Sequence, residues 1–195
     1  MDKTDIPKNR PAICVFCGSS FGTDPAFREA ARKLGAGIAQ MGARMVFGGG
    51  SPGLMGETAK AAREAGTPVE GILPGFLRDV EPPLAEGETT EIVDDLFVRK
   101  QKMIDRSDAF IVLPGGLGTY DEFFEVLTAA QLGVHSKPIA LVNVKGYFDA
   151  LDALVRDTVK KGFASEGVLA MYAMADSPEA ALQIIKDSQT RAPSR

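Results

Sequence analysis

The sequence predicts an α/β fold of the Rossmann-like kind, a doubly wound parallel sheet of about seven strands with helices on both faces. Two observations carry that expectation. Segments such as AICVF (12–16) and AFIVLP (109–114) are unbroken apolar runs, and PIALVNV (138–144) is interrupted only by Asn143, as strands buried on both faces require. They alternate with helical stretches of roughly ten to eighteen residues, the order that builds a parallel sheet from strand-helix-strand units.

AICVF is the first strand, and CGSSFGTDP (17–25) leads out of it. Asp24 caps a helix that begins at Pro25 and stops at Gly42, because an acid at the cap with proline behind it starts helices well. RMVF (44–47) is the next strand, GGGSPG (48–53) a tight loop, and LMGETAKAAREAG (54–66) a helix closed by Gly66. PVEGIL (68–73) is a third strand. Residues 74–87 hold three prolines and no periodicity, so they read as a surface loop able to border a site. TTEIVDD (89–95) is a short strand and LFVRKQKMIDRSD (96–108) a helix. After AFIVLP comes the helix GTYDEFFEVLTAAQLG (118–133), and after PIALVNV the helix YFDALDALVRDTVKKG (147–162), with apolar residues at 148, 151, 154, 155 and 159. SPEAALQIIKDS (177–188) ends the pattern, capped by Ser177. Residues 1–11 are expected to be a disordered leader, 12–188 one nucleotide-binding domain and 189–195 a flexible tail.

Composition narrows the function. The 195 residues suit one domain, and 45% hydrophobic with 25% charged residues is a globular balance. No apolar run approaches the roughly 18 residues of a membrane span, so no membrane partner is expected. The polar start, MDKTDIPKNRP, lacks the apolar stretch of a secretory signal, which points to the cytoplasm. A net charge of −4 without a basic block argues against nucleic acid as a partner. Any anion has to be held by local geometry. Cys14 and Cys17 form a lone C-x-x-C beside a single histidine, too few ligands for zinc. Three positions apart on a strand, they face opposite sides and read as buried thiols. Neither metal nor cofactor is expected.

Gly48, Gly50 and Gly53 match G-x-G-x-x-G, with Glu70 downstream where a ribose contact could lie. The match falls in the second strand-helix unit, and Pro52 stiffens it. Close packing of strand and helix, or a backbone contact to phosphate or sugar, would each explain it. PGGLGT (114–119) is the stronger signal. Gly115, Gly116 and Gly118 let backbone N–H groups turn inward, Leu117 lies between them, and Thr119 adds a hydroxyl at a helix N-terminus, an arrangement suited to phosphate. No lysine follows the last glycine, so phosphate is expected to be bound and not transferred. Asp121 and Glu122 are expected in the first helical turn, where the dipole alone favours acids. Diverging by about 100°, they cannot act as a pair. RKQK (99–102) supplies Arg99 and Lys100 just upstream, where a solvated basic face is the plain alternative. His135 receives no role.

CVFCGSS, VFGGGSPGLMG, the Arg-Lys ahead of SDAFIVLPGGLGTYDE, and QLGVHSKPIALVNVKGYFDAL together span about residues 12–163. In these segments the chain resembles the LONELY GUY (LOG) family, cytokinin riboside 5'-monophosphate phosphoribohydrolases. Its hallmark P-G-G-x-G-T-x-x-E runs from Pro114 to Glu122. The resemblance implies metal-free hydrolysis of the N-glycosidic bond of a purine nucleoside 5'-monophosphate, such as AMP or an N6-modified AMP, giving base and ribose 5-phosphate. It implies Glu122 and Arg99 as catalytic residues. Gly115, Gly116, Leu117, Gly118, Thr119 and Lys100 would surround the phosphate, and Glu81 and Ser19 would touch substrate. It also implies a homodimer with the site near the interface. Many relatives bear the description lysine decarboxylase, which would need pyridoxal phosphate and a Schiff-base lysine; HSK (135–137) is a loop fragment and no suitable motif. Leu96-Phe97 replaces a common Met-His, Ala129 or Ala130 a frequent Trp, and Tyr120-Asp121 a usual Leu-Glu. The first two bear on which base is accepted. A carrier of nucleotide or molybdenum cofactor on the same scaffold is the alternative reading, since a fold and a phosphate loop do not establish chemistry.

Overall fold

The computed structural model describes residues 10–82 and 89–191. Among these residues the chain forms seven strands: β1 (Ala12–Phe16), β2 (Arg44–Phe47), β3 (Val69–Pro74), β4 (Thr89–Val93), β5 (Ala109–Val112), β6 (Ile139–Val142) and β7 (Ala173–Ala175). All neighbours pair in parallel, in the order β4-β3-β2-β1-β5-β6-β7. Among the described residues five α-helices connect them, α1 (Pro25–Gln40), α2 (Gly53–Glu64), α3 (Leu96–Asp105), α4 (Leu117–Gln131) and α5 (Asp149–Lys160), and α6 (Pro178–Arg191) follows β7.

Alternation along each strand divides the core into two layers. Ile13 and Val15 of β1 pack with α1, α2 and α6 through Leu34, Ile38, Leu54 and Ile185. Ala12, Cys14 and Phe16 face α3, α4 and α5 through Met103, Phe123 and Val155. Cys14 and Cys17 therefore sit in opposite layers, both buried and both free thiols.

The local signals act as read. Asp24 accepts the Ala26 amide at 2.8 Å, and the Ser177 hydroxyl accepts that of Ala180 at 3.1 Å. Gly42 and Gly66 take φ of +70° and +86° behind their helices, a conformation glycine adopts without penalty. Three readings change. MYAMADS contributes β7, a strand not assigned from the sequence, only three residues long and partly exposed. Leu154, placed on the buried stripe of α5, is 56% exposed. α6 continues to Arg191, past the expected start of the tail; residues 1–9 of the leader and 192–195 lie outside the described residues. Part of the proline-rich loop does as well, while Gly75–Leu77 forms a 3-10 turn.

Candidate active site

The chain runs from β1 to β2 on one side of the sheet, whereas β5 joins β1 on the other. At such a switch point the loops leaving two neighbouring strands part, and ligand crevices form there. The loops after β1, β2 and β5 are tied together at this place. Gly18 donates to the Pro114 carbonyl at 3.1 Å, and Met55 donates to the Gly18 carbonyl at 3.2 Å. Between them lies a cavity of about 250 Å³. Ser19, Glu81, Arg99, Gly116, Leu117, Gly118, Thr119 and Glu122 all line it, together with Cys17, Gly18 and Met55. Two larger hollows, one of about 640 Å³ between α1 and α6 and one of about 650 Å³ below β6 beside His135, contain none of the predicted residues.

α4 opens at Gly116, which caps it without a side chain. Thr119 and Tyr120 donate to the Gly116 carbonyl at 3.0 and 3.2 Å, leaving the amides of Gly116, Leu117 and Gly118 unpartnered among the described residues. Such free N–H groups at the positive end of a helix suit an anion. The glycines serve differently from what the sequence suggested. None of the three has a positive φ, so the loop does not depend on left-handed backbone. A Cβ on Gly115 would lie 2.1 Å from Thr119 Oγ1 and 2.6 Å from the Gly18 nitrogen, so close packing requires this glycine. Around Gly116 and Gly118 a Cβ would meet nothing within 4 Å. Their missing side chains leave the approach to the amides open.

Starting at Leu117, α4 places Asp121 and Glu122 in its second turn and not in the first, where the dipole is felt most. The two diverge as expected. Asp121 points outward to the Lys100 ammonium at 3.0 Å, and Lys100 also pairs with Glu125 at 2.9 Å. Lys100 is thereby committed beside the cavity and does not line it. Glu122 is half-buried against the cavity, and its carboxyl is pushed up to about 7. Burial is the main cause, the Arg99 charge opposes it, and the Asp121 and Glu81 carboxylates add to it.

Arg99 is buried on the inner face of α3, where Nε donates to the Ile72 carbonyl at 3.1 Å and Nη2 to that of Gly48 at 2.7 Å. Its ion-pair partner is Glu81, at 3.7 Å, and not Glu122, on which it acts through its field. A Cβ on Gly48 would fall 2.0 Å from Nη2, one on Gly53 2.3 Å from the Ser19 carbonyl carbon. The glycines of 48–53 thus serve close packing, none of them lines the cavity, and Gly49 and Gly53 take positive φ. Glu70, the candidate ribose contact, is paired instead with Arg44, at 2.7 Å, and with Arg106. Gly18 and Met55 were missed in the sequence. Gly18 stood in the quoted CGSS loop, whereas nothing distinguished Met55 from a core methionine.

Fold and cavity together define a doubly wound α/β protein with its candidate site at the topological switch point. Residues 55–185 match the family model described as possible lysine decarboxylase. The probable cytokinin riboside 5'-monophosphate phosphoribohydrolase LOGL1 of Oryza sativa subsp. japonica is 45% identical over 77% of this chain and 68% of its own length. Cytokinin riboside 5'-monophosphate phosphoribohydrolase LOG1 of Arabidopsis thaliana is 40% identical over 94% of this chain and 86% of its own. The chain belongs to the LOG family. In fold it is similar to the Moco carrier protein of Chlamydomonas reinhardtii (TM-score 0.73, 22% identity, 94% of this chain and 100% of that one). It is likewise similar to the molybdenum cofactor binding protein of Rippkaea orientalis (TM-score 0.71, 23% identity, 93% and 98%). A pyridoxal-dependent decarboxylase does not fit the cavity, since among the described residues no lysine lines it to form a Schiff base.

Proposed function

We propose that this protein hydrolyses the N-glycosidic bond of a purine nucleoside 5'-monophosphate, AMP or an N6-prenylated AMP, releasing the base and ribose 5-phosphate. One observation carries the reading: a carboxylate held near neutrality, Glu122, shares a small cavity with three free amides and a buried guanidinium. The amides of Gly116, Leu117 and Gly118 with the Thr119 hydroxyl would hold the 5'-phosphate, so binding energy remote from the reacting carbon positions C1'. Glu122 would take a proton from water or face the positive charge that grows at C1' as the bond to nitrogen lengthens. Water's oxygen bonds to C1', the electron pair of the broken bond goes to the base nitrogen, and the proton that Glu122 took from water passes on to the departing base, which restores the carboxylate. Arg99, Glu81 and Ser19 would contact the ribose side. Neither metal nor cofactor enters this scheme.

The relatives that carry this activity by name support the reading, while the likeness to carrier proteins rests on fold alone. A carrier has no use for an unpaired carboxylate tuned to about 7. Purified protein incubated with AMP and with N6-prenylated AMP should release free base, followed by chromatography. Release from neither overturns the proposal. The working unit we expect is a cytoplasmic homodimer. Leu96, Phe97 and Leu117, apolar and 44%, 78% and 86% exposed, supply surface for it. Light scattering should give twice the chain mass at micromolar concentration; a monomer there refutes the dimer.

A further inference from the structure

We propose that Tyr147 is a positioning residue, a latch that sets the direction of the first amide in the anion cradle. This rests on reading the cradle as a phosphate site. The Tyr147 hydroxyl donates to the Gly115 carbonyl. That carbonyl and the Gly116 N–H belong to one planar trans peptide, so they point in opposite directions. Holding the carbonyl toward Tyr147 turns the Gly116 N–H the other way, toward the cavity. The peptide needs such a hold because glycines flank it on both sides, and a Cβ on Gly116 would meet nothing within 4 Å.

The latch is itself built rigidly. The Tyr120 phenol lies beside it and is pushed up to about 12, chiefly by the Tyr147 hydroxyl and then by burial. The Tyr147 ring packs edge-on against Phe27 and Phe148, at centroid distances of 5.6 and 5.1 Å. The segment before it turns through Lys145 and Gly146, with φ of +54° and +72°. Asn143 braces that turn, accepting the Phe148 amide and donating to Asp149, both at 2.7 Å.

Tyr147→Phe keeps the ring contacts and removes only the hydroxyl. One lost hydrogen bond corresponds to roughly three- to tenfold in affinity. Calorimetry should therefore show AMP and inorganic phosphate binding the variant that much more weakly, with adenine affinity unchanged. Under turnover, KM for AMP should rise by the same factor at constant kcat, the mark of lost ground-state binding. Tyr120→Phe should show a smaller shift in the same direction. A protein that binds AMP and phosphate but releases no base would refute the hydrolase and leave the latch standing. Equal phosphate affinity in Tyr147→Phe, an equal loss for adenine, or wild-type protein binding neither AMP nor phosphate overturns the latch.

Discussion

Glu122 has to be ionised to draw a proton from water, yet burial holds it near neutrality, so its two forms are both populated at physiological pH. The sign follows directly. Activity belongs to the carboxylate, so kcat/KM for AMP should climb with pH through a midpoint near 7 and fall about tenfold per unit below it. Glu122→Gln preserves shape and removes the titrating group. It should lower kcat by about 10²-fold or more, and the residual rate should lack that rising limb. Near-normal turnover in the variant rejects the assignment. Glu122 could be read in the sequence because a long motif places it, and Arg99 because an Arg-Lys pair stands ahead of that motif. The partners of Lys100 could not. A basic residue beside a glycine loop reads as a phosphate ligand until tertiary structure sets Asp121 and Glu125 against it. Tyr147 was hidden for a similar reason, since an aromatic at the start of a helical pattern reads as core.

At the scale of elements, β1, β5 and β6 were legible because double-sided burial leaves runs with no polar residue to misread. β7 escaped because its three residues end a longer apolar stretch, VLAMYAMA (168–175), which does not show where a strand begins. The glycine loops were legible in position but not in purpose, for spacing does not say whether a missing side chain makes room for backbone, for another side chain or for ligand. The structure separates these cases, and substitution should do the same. Gly115→Ala forces a Cβ onto backbone and onto Thr119, so it should destabilise the fold by roughly 1 to 3 kcal/mol. Gly118→Ala meets open space within the first turn of α4 and should stabilise by up to about 1 kcal/mol while weakening AMP binding. Gly48→Ala should lower melting and abolish most activity, since the Cβ takes the place of the Arg99 guanidinium and breaks its bonds to the Ile72 and Gly48 carbonyls. Melting temperature and AMP affinity measured on the three variants test this ordering. Similar losses of stability in all three would contradict it.

For the whole molecule, the dependence of stability on pH should have two limbs with different origins. Glu57 is drawn up by burial, but Arg28 and Arg32 outweigh this and hold it below the ordinary carboxylate range. Glu91 is held low chiefly by Lys102, with Arg106 adding to it against burial. A depressed carboxylate contributes stability above its unfolded value and loses it as pH falls through the folded one. The pairs that join α1 to α2, and β4 to α3, should therefore weaken below about pH 4. Glu122 has the opposite sign. Its carboxyl stands above its unfolded value of 4.5, so its contribution is complete below that value and is lost as pH rises through about 7. His135, lowered by burial and by the Lys137 charge, loses stability as pH falls and partly masks this limb in the wild type. A comparison with Glu122→Gln removes the masking. The two proteins should melt alike near pH 4.5, and the variant should melt higher by pH 8, by no more than about 3 kcal/mol of stability. Such a gain from deleting the carboxylate, alongside the lost turnover, is expected of a group held ionised for chemistry at the expense of the fold. An equal decline toward pH 8 in both proteins would show that Glu122 carries no such strain, and would remove the physical basis for its tuned acidity.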